Sequence, residues 1–243
     1  MNDTEFFPWA LEIFDQIEGS EEFKNLDPVI SKYFYHVFIK IKRNYLAINH
    51  LFKGEWENSY IESIPLIRIL AEGYFHFCYI IEETNKSLIP LGYNKLAELQ
   101  SYTVAKNYND LGTNLLPEEE EFVRKHYNEI KVEPNPPLYL SRIKRLVKKT
   151  HNEYLYTRVY NAFSSYVHFN PATSVIYGTQ MEDRFVFNNI KENEPLVDSL
   201  KSHTDGIIML FFTKLIDYLK IESLHEEFNK YYDEDKKVFK FKH

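Results

Sequence analysis

The sequence is poor in glycine, with 7 residues among 243, where average usage would give about 17. Glycine supplies the positive φ angles of tight turns and lets the backbone approach phosphate groups closely. The shortage therefore disfavours turn-rich β architectures and glycine-lined phosphate loops, and no Walker or dinucleotide-binding motif occurs. Aromatic residues, by contrast, are abundant, with 19 Phe and 19 Tyr. We expect an all-α protein with an aromatic core.

Cysteine is almost absent as well. The single Cys78 excludes an intrachain disulfide and any site with several thiolate ligands, and we expect no metal and no cofactor. The net charge of −7 argues against a surface that coats DNA. The N-terminus is acidic where a signal peptide is basic. The longest apolar run, Ile64 to Ile81, is interrupted by Arg68, Glu72 and His76, so we expect a cytoplasmic protein without membrane contact.

The periodicity of the apolar residues predicts a single helical domain over residues 1–243. We expect its core to extend from about 26 to 220 and the tail at about 233–243 to be loose. Residues 174–189 are rich in β-branched and aromatic side chains around a glycine, which indicates a short hairpin or an ordered loop. Because the stretch from Ile64 to Ile81 is apolar on nearly all sides, it should form the central helix.

Several helix ends have recognisable signals. Asp27 before Pro28 is typical of an N-cap followed by proline at the first helical position. Pro65 lacks a backbone donor, so we expect a kink or a break just before it. Asn94, after a proline and a glycine, is predicted to cap the next helix. Pro117 and the four glutamates after it suit the first turn of another helix.

A polar stripe crosses the predicted central helix. Arg68, Glu72 and His76 follow one another at i+4 spacing, so they share one face of an otherwise apolar helix. An unpaired charge on a buried helix is costly, so Arg68 and Glu72 need partners. The stripe has two interpretations: an ion pair that fixes helix packing, or a site whose pKa values are tuned by burial.

A second polar face lies on the segment from Tyr154 to His168. It contains mostly neutral hydrogen-bonding groups, whereas a solvated face is usually rich in lysine and glutamate. Neutral donors and acceptors suit a face that packs against another polar surface or a ligand, although a solvated face without charge is also compatible. Its members are Thr157, Asn161, Ser164, Ser165 and His168, with Tyr160 at its edge.

These two patterns together resemble a bacterial protein family of unknown function. The first is Arg-x3-Glu (Arg68 and Glu72), preceded by a helix start at Gly54. The second is Tyr-x3-Ser-x3-His, formed by Tyr160, Ser164 and His168 and followed by Asn170-Pro171. The resemblance spans about Tyr45 to Pro171. It implies an all-helical fold and a site at these residues, without an established activity.

At greater distance the sequence resembles HEPN domains, helical bundles that often act as metal-independent ribonucleases in toxin and phage-defence systems. Their motif is an arginine with a polar neighbour and a histidine four to six residues later, whereas Ser164 precedes His168 here. Arg43-Asn44 with His50 matches the spacing literally. These residues project away from the apolar stripe of their helix, so we expect a solvated face unless a dimer joins two such faces.

We therefore expect a metal-independent endoribonuclease of the toxin or antiviral-defence type. His168 would act as general acid or base, Arg68 would stabilise phosphate charge, Glu72 would orient one of them, and Ser164 and Tyr160 would position RNA. A weaker expectation gives RNA binding to the basic residues Arg142, Lys144, Arg145, Lys148 and Lys149.

Two alternatives to RNA cleavage stay open. The chain is a non-catalytic partner or sensor protein, or it binds a small anionic ligand through Arg68. A homodimer or an operon-encoded partner is compatible with each of these functions.

Overall fold

A computed structural model describes residues 3–54, 59–112, 115–167, 171–187, 194–233 and 238–239. Within these ranges the chain is predominantly helical, which confirms the all-α class. The α-helices are α1 (Asp3–Gly19), α2 (Glu21–Lys24), α3 (Pro28–Phe52), α4 (Ser63–Glu82), α5 (Leu88–Leu111), α6 (Pro117–Val123), α7 (Leu138–Ser141), α8 (Ile143–Lys149), α9 (Glu153–Leu155), α10 (Ala162–Ser164), α11 (Glu194–Leu219) and α12 (Glu222–Tyr231).

Shorter elements connect these helices. Two are 3-10 turns, Ser59–Glu62 and Pro171–Ile176, and two are π-helical segments, Arg124–Asn128 and Tyr156–Asn161. Within the expected 174–189 region, β1 (Gly178–Gln180) pairs antiparallel with β2 (Phe185–Phe187), with Thr179 opposite Val186. This part of the chain is thus a hairpin. A second pair joins β3 (Tyr232–Asp233) and β4 (Val238–Phe239), within the predicted tail, whose other residues lie outside the described ranges.

Helix α4 occupies the centre of the fold, and α3, α8, α11 and the Tyr156–Asn161 segment pack around it. Within the described residues, Ser59–Glu82 is long and apolar enough to cross a membrane by length and composition, and 61% of its most apolar window is buried inside the structure. A buried central helix of a globular fold has these same properties.

The pair α3 and α4 forms the framework of the site. The carboxylate of Asp27 accepts a hydrogen bond from the Val29 backbone amide at 2.9 Å, which confirms the predicted N-cap. The two helices run antiparallel, because Ile41 lies against Gly73 and the Phe34 ring lies against that of Phe77. A Cβ at Gly73 would lie 3.1 Å from Ile41 Cγ1. Glycine therefore permits the close approach of α3 and α4.

One continuous hydrophobic cluster fills the interior. It is larger than the predicted 26–220 core, because the apolar stripes of α1 and α12 also pack into it. Trp9 and Phe14 from α1 contact Phe212 of α11, and Phe228 of α12 contacts the Trp9 ring. Phe14, Phe212 and the ring of Phe77 are completely or almost completely excluded from solvent. The expected aromatic core is present.

Three other helix ends were predicted from the sequence, and the structure confirms some of them and corrects one. The break before Pro65 takes the form of the 3-10 turn that precedes α4, so Pro65 lies in the first turn, where its missing donor costs nothing. Pro117 does begin α6. The prediction of an N-cap at Asn94 is wrong, since α5 begins at Leu88. Gly92 lies inside α5, where an added Cβ would come within 2.7 Å of the side chain of Leu140.

Candidate functional site

Arg68 lies where α4 meets the segment that contains Tyr160 and Ser164. Its Nε donates a hydrogen bond to Ser164 Oγ at 3.2 Å, and a terminal nitrogen donates to the Tyr160 hydroxyl. The guanidinium carbon also lies 4.1 Å from the centre of the Tyr160 ring, which is a cation–π distance. Side chains more than ninety residues apart in sequence therefore meet at one guanidinium.

Ser164 and Tyr160 are themselves linked. The Ser164 hydroxyl donates to the Tyr160 backbone carbonyl at 2.5 Å, which leaves its oxygen to accept from Arg68. The Tyr160 hydroxyl accepts from Arg68, so its own hydrogen is left for another acceptor. Burial of Tyr160 and the nearby charge of Glu72 raise its pKa, while Arg68 opposes this effect. Tyr160 is therefore a neutral hydroxyl at physiological pH.

A π-helical segment, Tyr156–Asn161, brings Tyr160 to this position. The prediction of a regular helix put Tyr160 at the edge of a polar face. The wider π turn rotates the residues relative to that projection, and Tyr160 is 9% exposed. Thr157 and Asn161 are exposed instead, and Ser165 is half-buried. Thus only part of the predicted polar face turns toward α4.

Glu72 also belongs to the cluster, but its contact with Arg68 is longer than those of Ser164 and Tyr160. Its carboxylate lies 3.9 Å from an Arg68 nitrogen, and the two side chains are 31% and 20% exposed. Both are therefore half-buried at a solvent-accessible edge. At this distance and exposure an ion pair is weak. Arg68 is held mainly by neutral oxygen atoms, so its positive charge is only weakly compensated by a carboxylate.

His168 lies outside the described residues. The structure therefore brings together four of the five residues predicted for catalysis, and the catalytic role assigned to each stays a prediction. Ser164 is the last residue of α10.

His76 belongs to the same stripe of α4 but has different neighbours. Its Nδ1 lies 2.9 Å from the hydroxyl of Tyr93 on α5. Burial lowers the pKa of His76 to about 4, and the positive charge of Lys40 on α3 contributes to the same shift. His76 is therefore neutral at physiological pH, and the structure separates it from the Arg68 cluster.

The basic residues predicted to bind RNA fall into two groups. All five are exposed on or just before α8, but four of them, Arg142, Lys144, Arg145 and Lys148, take part in none of the ion pairs found among the described residues. Lys149 instead forms an ion pair with Glu83 at 2.9 Å and lies 4.8 Å from the centre of the Tyr139 ring. Burial opposes ionisation of Glu83, but the Lys149 hydrogen bond and the Asn85 amide lower its pKa below the usual range. Lys149 is therefore engaged within the fold.

Two further sequence predictions concern α3 and metals. Arg43 and His50 are both exposed, in agreement with the solvated face expected for them. In the part of the chain that the structure describes, no group of three or more His, Cys, Asp and Glu side chains is arranged to hold a metal ion.

Two residues near these groups were not singled out in the sequence. Tyr156 stacks on Tyr160, with ring centres 5.3 Å apart and planes at 18°. Its i−4 position relative to Tyr160 is a signal that sequence inspection can find. Tyr93, the partner of His76, belongs to another helix, and no sequence spacing relates the two.

The fold and this cluster define an all-α protein with a polar site between its central helix and a π-containing segment. The profile of a family of unknown function, DUF5677, matches residues 31–185. This match covers more than half of the chain, and it includes Arg68, Glu72, Tyr160 and Ser164. The chain therefore belongs to this family. No curated protein and no solved structure matches it.

Proposed function

We propose that the Arg68 cluster is the phosphate-binding part of a metal-independent RNA-cleaving site. The observation that carries the proposal is the state of the Arg68 guanidinium. Tyr160 and Ser164 fix its orientation through neutral oxygens. Among the described residues the nearest carboxylate, that of Glu72, is 3.9 Å away, and the Arg68 side chain is 20% exposed. A fixed, incompletely neutralised guanidinium open to solvent suits an anion with several acceptor oxygens.

RNA can be cleaved without a metal when its 2′-hydroxyl attacks the adjacent phosphorus. A new O–P bond forms, the bond to the 5′-oxygen breaks, and a 2′,3′-cyclic phosphate and a 5′-hydroxyl result. The 2′-oxygen loses one proton and the 5′-oxygen gains one. In the proposal His168 exchanges one of these protons with the substrate, water exchanges the other, and Arg68 stabilises the charge that grows on the phosphate oxygens.

The neighbouring groups have supporting roles in this scheme. Ser164 and Tyr160 hold Arg68 in place, and the free hydroxyl hydrogen of Tyr160 is a donor for a phosphate oxygen. Glu72 limits the freedom of the guanidinium through its long contact. The π-helical turn beside the cluster is in keeping with such a role, because π segments are frequent at functional sites.

The test is cleavage of a mixed RNA pool, with and without EDTA, by wild type and by the variants Arg68→Ala and His168→Ala. We expect EDTA-resistant cleavage to 2′,3′-cyclic phosphate ends, reduced at least a hundredfold in both variants. Arg158→Ala is the matched control, because Arg158 is an exposed arginine in the π-helical segment that contains Tyr160. Melting curves check that each variant folds. Absence of cleavage by wild type, or cleavage that requires a divalent ion, would contradict the proposal.

A second candidate is a non-catalytic protein in which the cluster only joins two helices. One observation favours it: all three nitrogens of the guanidinium have protein partners, in Ser164, Tyr160 and Glu72. In that case Arg68→Met lowers the melting temperature strongly and no RNA is cleaved. Tight binding of a small anion without cleavage would instead indicate a ligand pocket.

A further inference from the structure

Helix α3 carries an exposed basic stripe, defined by Lys32, His36, Lys40, Arg43 and His50. The helix contains neither aspartate nor glutamate over its 25 residues, although the chain as a whole has a net charge of −7. Its remaining lysine, Lys42, lies on another face, where it pairs with Asp15 and Glu18 of α1. The exposed ionisable side chains of α3 are therefore all basic.

The stripe is not neutralised within the described part of the chain. The ion pairs found there do not involve Lys32, Lys40 or Arg43. Solvated helix faces usually mix both signs, because like charges at i,i+4 repel. A row of cations that no carboxylate balances is suited to an external polyanion.

The basic stripe lies on α3, which is the antiparallel packing neighbour of α4, the helix that contains Arg68. Helices α3 and α4 are antiparallel, and the charge of Lys40 acts on His76. His76 and Arg68 lie two i+4 steps apart on α4, which corresponds to about 12 Å along the helix axis. A single-stranded RNA that contacts Lys40 at the level of His76 therefore has about 12 Å to cover along the helix axis to reach the level of Arg68.

We infer that the basic stripe of α3 binds the backbone of single-stranded RNA and leads it to Arg68. This inference rests on the proposed function, since it supplies the substrate class of that site. Successive cations at i,i+4 rise by about 6 Å, so one strand contacts several of them. Ile39 and Leu46 are 44% and 37% exposed on the same helix. They offer apolar contacts to unstacked bases, which a duplex keeps inside.

A second copy of the chain fits this surface less well. A two-fold contact through α3 would bring the same face of each copy together. Lys32, Lys40 and Arg43 would then meet a surface of their own sign, which costs free energy.

The basic residues of α8 are also less well placed to direct RNA to the Arg68 cluster. The Lys149–Glu83 pair marks the far end of α4, roughly 20 Å from Arg68 along the axis.

The test measures binding separately from cleavage. The probe is a fluorescent 12-nucleotide 2′-O-methyl oligouridylate, which has no free 2′-hydroxyl and resists cleavage. Its affinity is measured by anisotropy between 50 and 300 mM salt. The test variant replaces Lys32, Lys40 and Arg43 with alanine. The matched control replaces Lys106, Lys125 and Lys131 with alanine, so both variants lose three exposed cations. A third variant replaces Lys144, Arg145 and Lys148 of α8 with alanine and tests the rival RNA-binding surface.

We expect the α3 variant to bind at least tenfold more weakly at low salt. The slope of log K against log salt should become shallower by about 2, since each contact to a single strand contributes about 0.7. The matched control should keep the wild-type slope. An unchanged slope in the α3 variant, or a loss confined to the α8 variant, overturns the inference. So does a wild-type dimer, seen by sedimentation, that becomes monomeric in the α3 variant.

These outcomes are distinct from those for the proposed function. Salt-dependent binding lost in the α3 variant supports the stripe even where unmodified RNA is not cleaved, and that absence of cleavage contradicts the proposed function alone. Cleavage by wild type together with an unchanged slope in the α3 variant overturns the stripe alone.

Discussion

The two ends of the polar stripe on α4 behave differently although they share one helix face. At the first end Arg68 meets the neutral oxygens of Tyr160 and Ser164 and remains a half-exposed cation. At the other end His76 meets Tyr93 and the charge of Lys40, and burial keeps its ring neutral. The spacing along a helix decides which residues share a face. The elements packed against that face decide their charge and accessibility.

Both ends depend on the packing beneath them, and removing it should have the largest effect. Phe77 follows His76, is fully buried, and contacts the rings of Phe34 and Phe211. Phe77→Ala should lower the free energy of unfolding by about 3–5 kcal/mol, because it removes buried surface and leaves a cavity. Urea unfolding measures this change.

The control for Phe77→Ala is Phe187→Ala, at a ring that is 69% exposed in the hairpin. It should change stability by no more than about 0.5 kcal/mol. Equal losses in the two variants would contradict the position of α4 at the centre of the fold.

The next largest effect concerns pH and the His76 end. The folded pKa of His76 is about 4, below the ordinary value of 6.5, so the unfolded chain takes up the proton first. The contribution of this group to stability is complete above about pH 6.5 and is lost as the pH falls toward 4. The loss is about 3 kcal/mol at 1.36 kcal/mol per pKa unit. Urea unfolding at a series of pH values measures it.

His76→Phe should flatten the stability curve between pH 6.5 and 4, because phenylalanine does not titrate. The groups that face His76 are Tyr93 of α5, Lys40 of α3 and, one turn away on α4, Glu72. His36→Phe is the control, since His36 is exposed on α3, and it should leave the curve unchanged. A curve that stays steep in His76→Phe would contradict a neutral, buried His76.

At the Arg68 end a smaller loss is expected. Arg68→Met removes two hydrogen bonds to neutral oxygens and a long ion pair from a half-exposed position. The free energy of unfolding should fall by about 1 kcal/mol, as measured in urea. The flexible apolar side chain of methionine preserves part of the packing over the Tyr160 ring. A loss above about 3 kcal/mol would favour the structural interpretation of the cluster over the ligand site.

The sequence was sufficient for the fold class and for much of the site, and the reasons are local. Apolar spacing defines α4, and Asp27 with Pro28 defines the start of α3, because both signals act within one turn of helix. The pairing of α4 with the Tyr160 segment was suggested by the polar side chains that each places on one face. Its geometry was not, because a π turn changes the phase of a helix without a sequence signature.

Other features depend on contacts between distant elements and were missed for that reason. Helix α5 begins at Leu88, before the predicted cap at Asn94, and Leu140 of α7 packs on Gly92 within this earlier part of the helix. The environment of His76 differs from that of Arg68 because Tyr93 of α5 contacts His76. Helical projection of one segment contains no information about which neighbour covers which part of its surface.

The smallest expected effect concerns Glu72, the residue between the two ends of the stripe. Glu72→Gln should change the free energy of unfolding by less than about 0.5 kcal/mol, because its contact with Arg68 is long and 31% of its side chain is exposed. The same change removes the negative charge nearest the guanidinium, so the 2′-O-methyl oligouridylate should bind two- to fivefold more tightly.

The control is Glu98→Gln, at an exposed glutamate of α5. It removes the same charge away from the cluster and should leave that affinity unchanged. Anisotropy titrations at low salt measure both variants. Equal gains in affinity would mean that only net charge matters, and would contradict an anion site at Arg68.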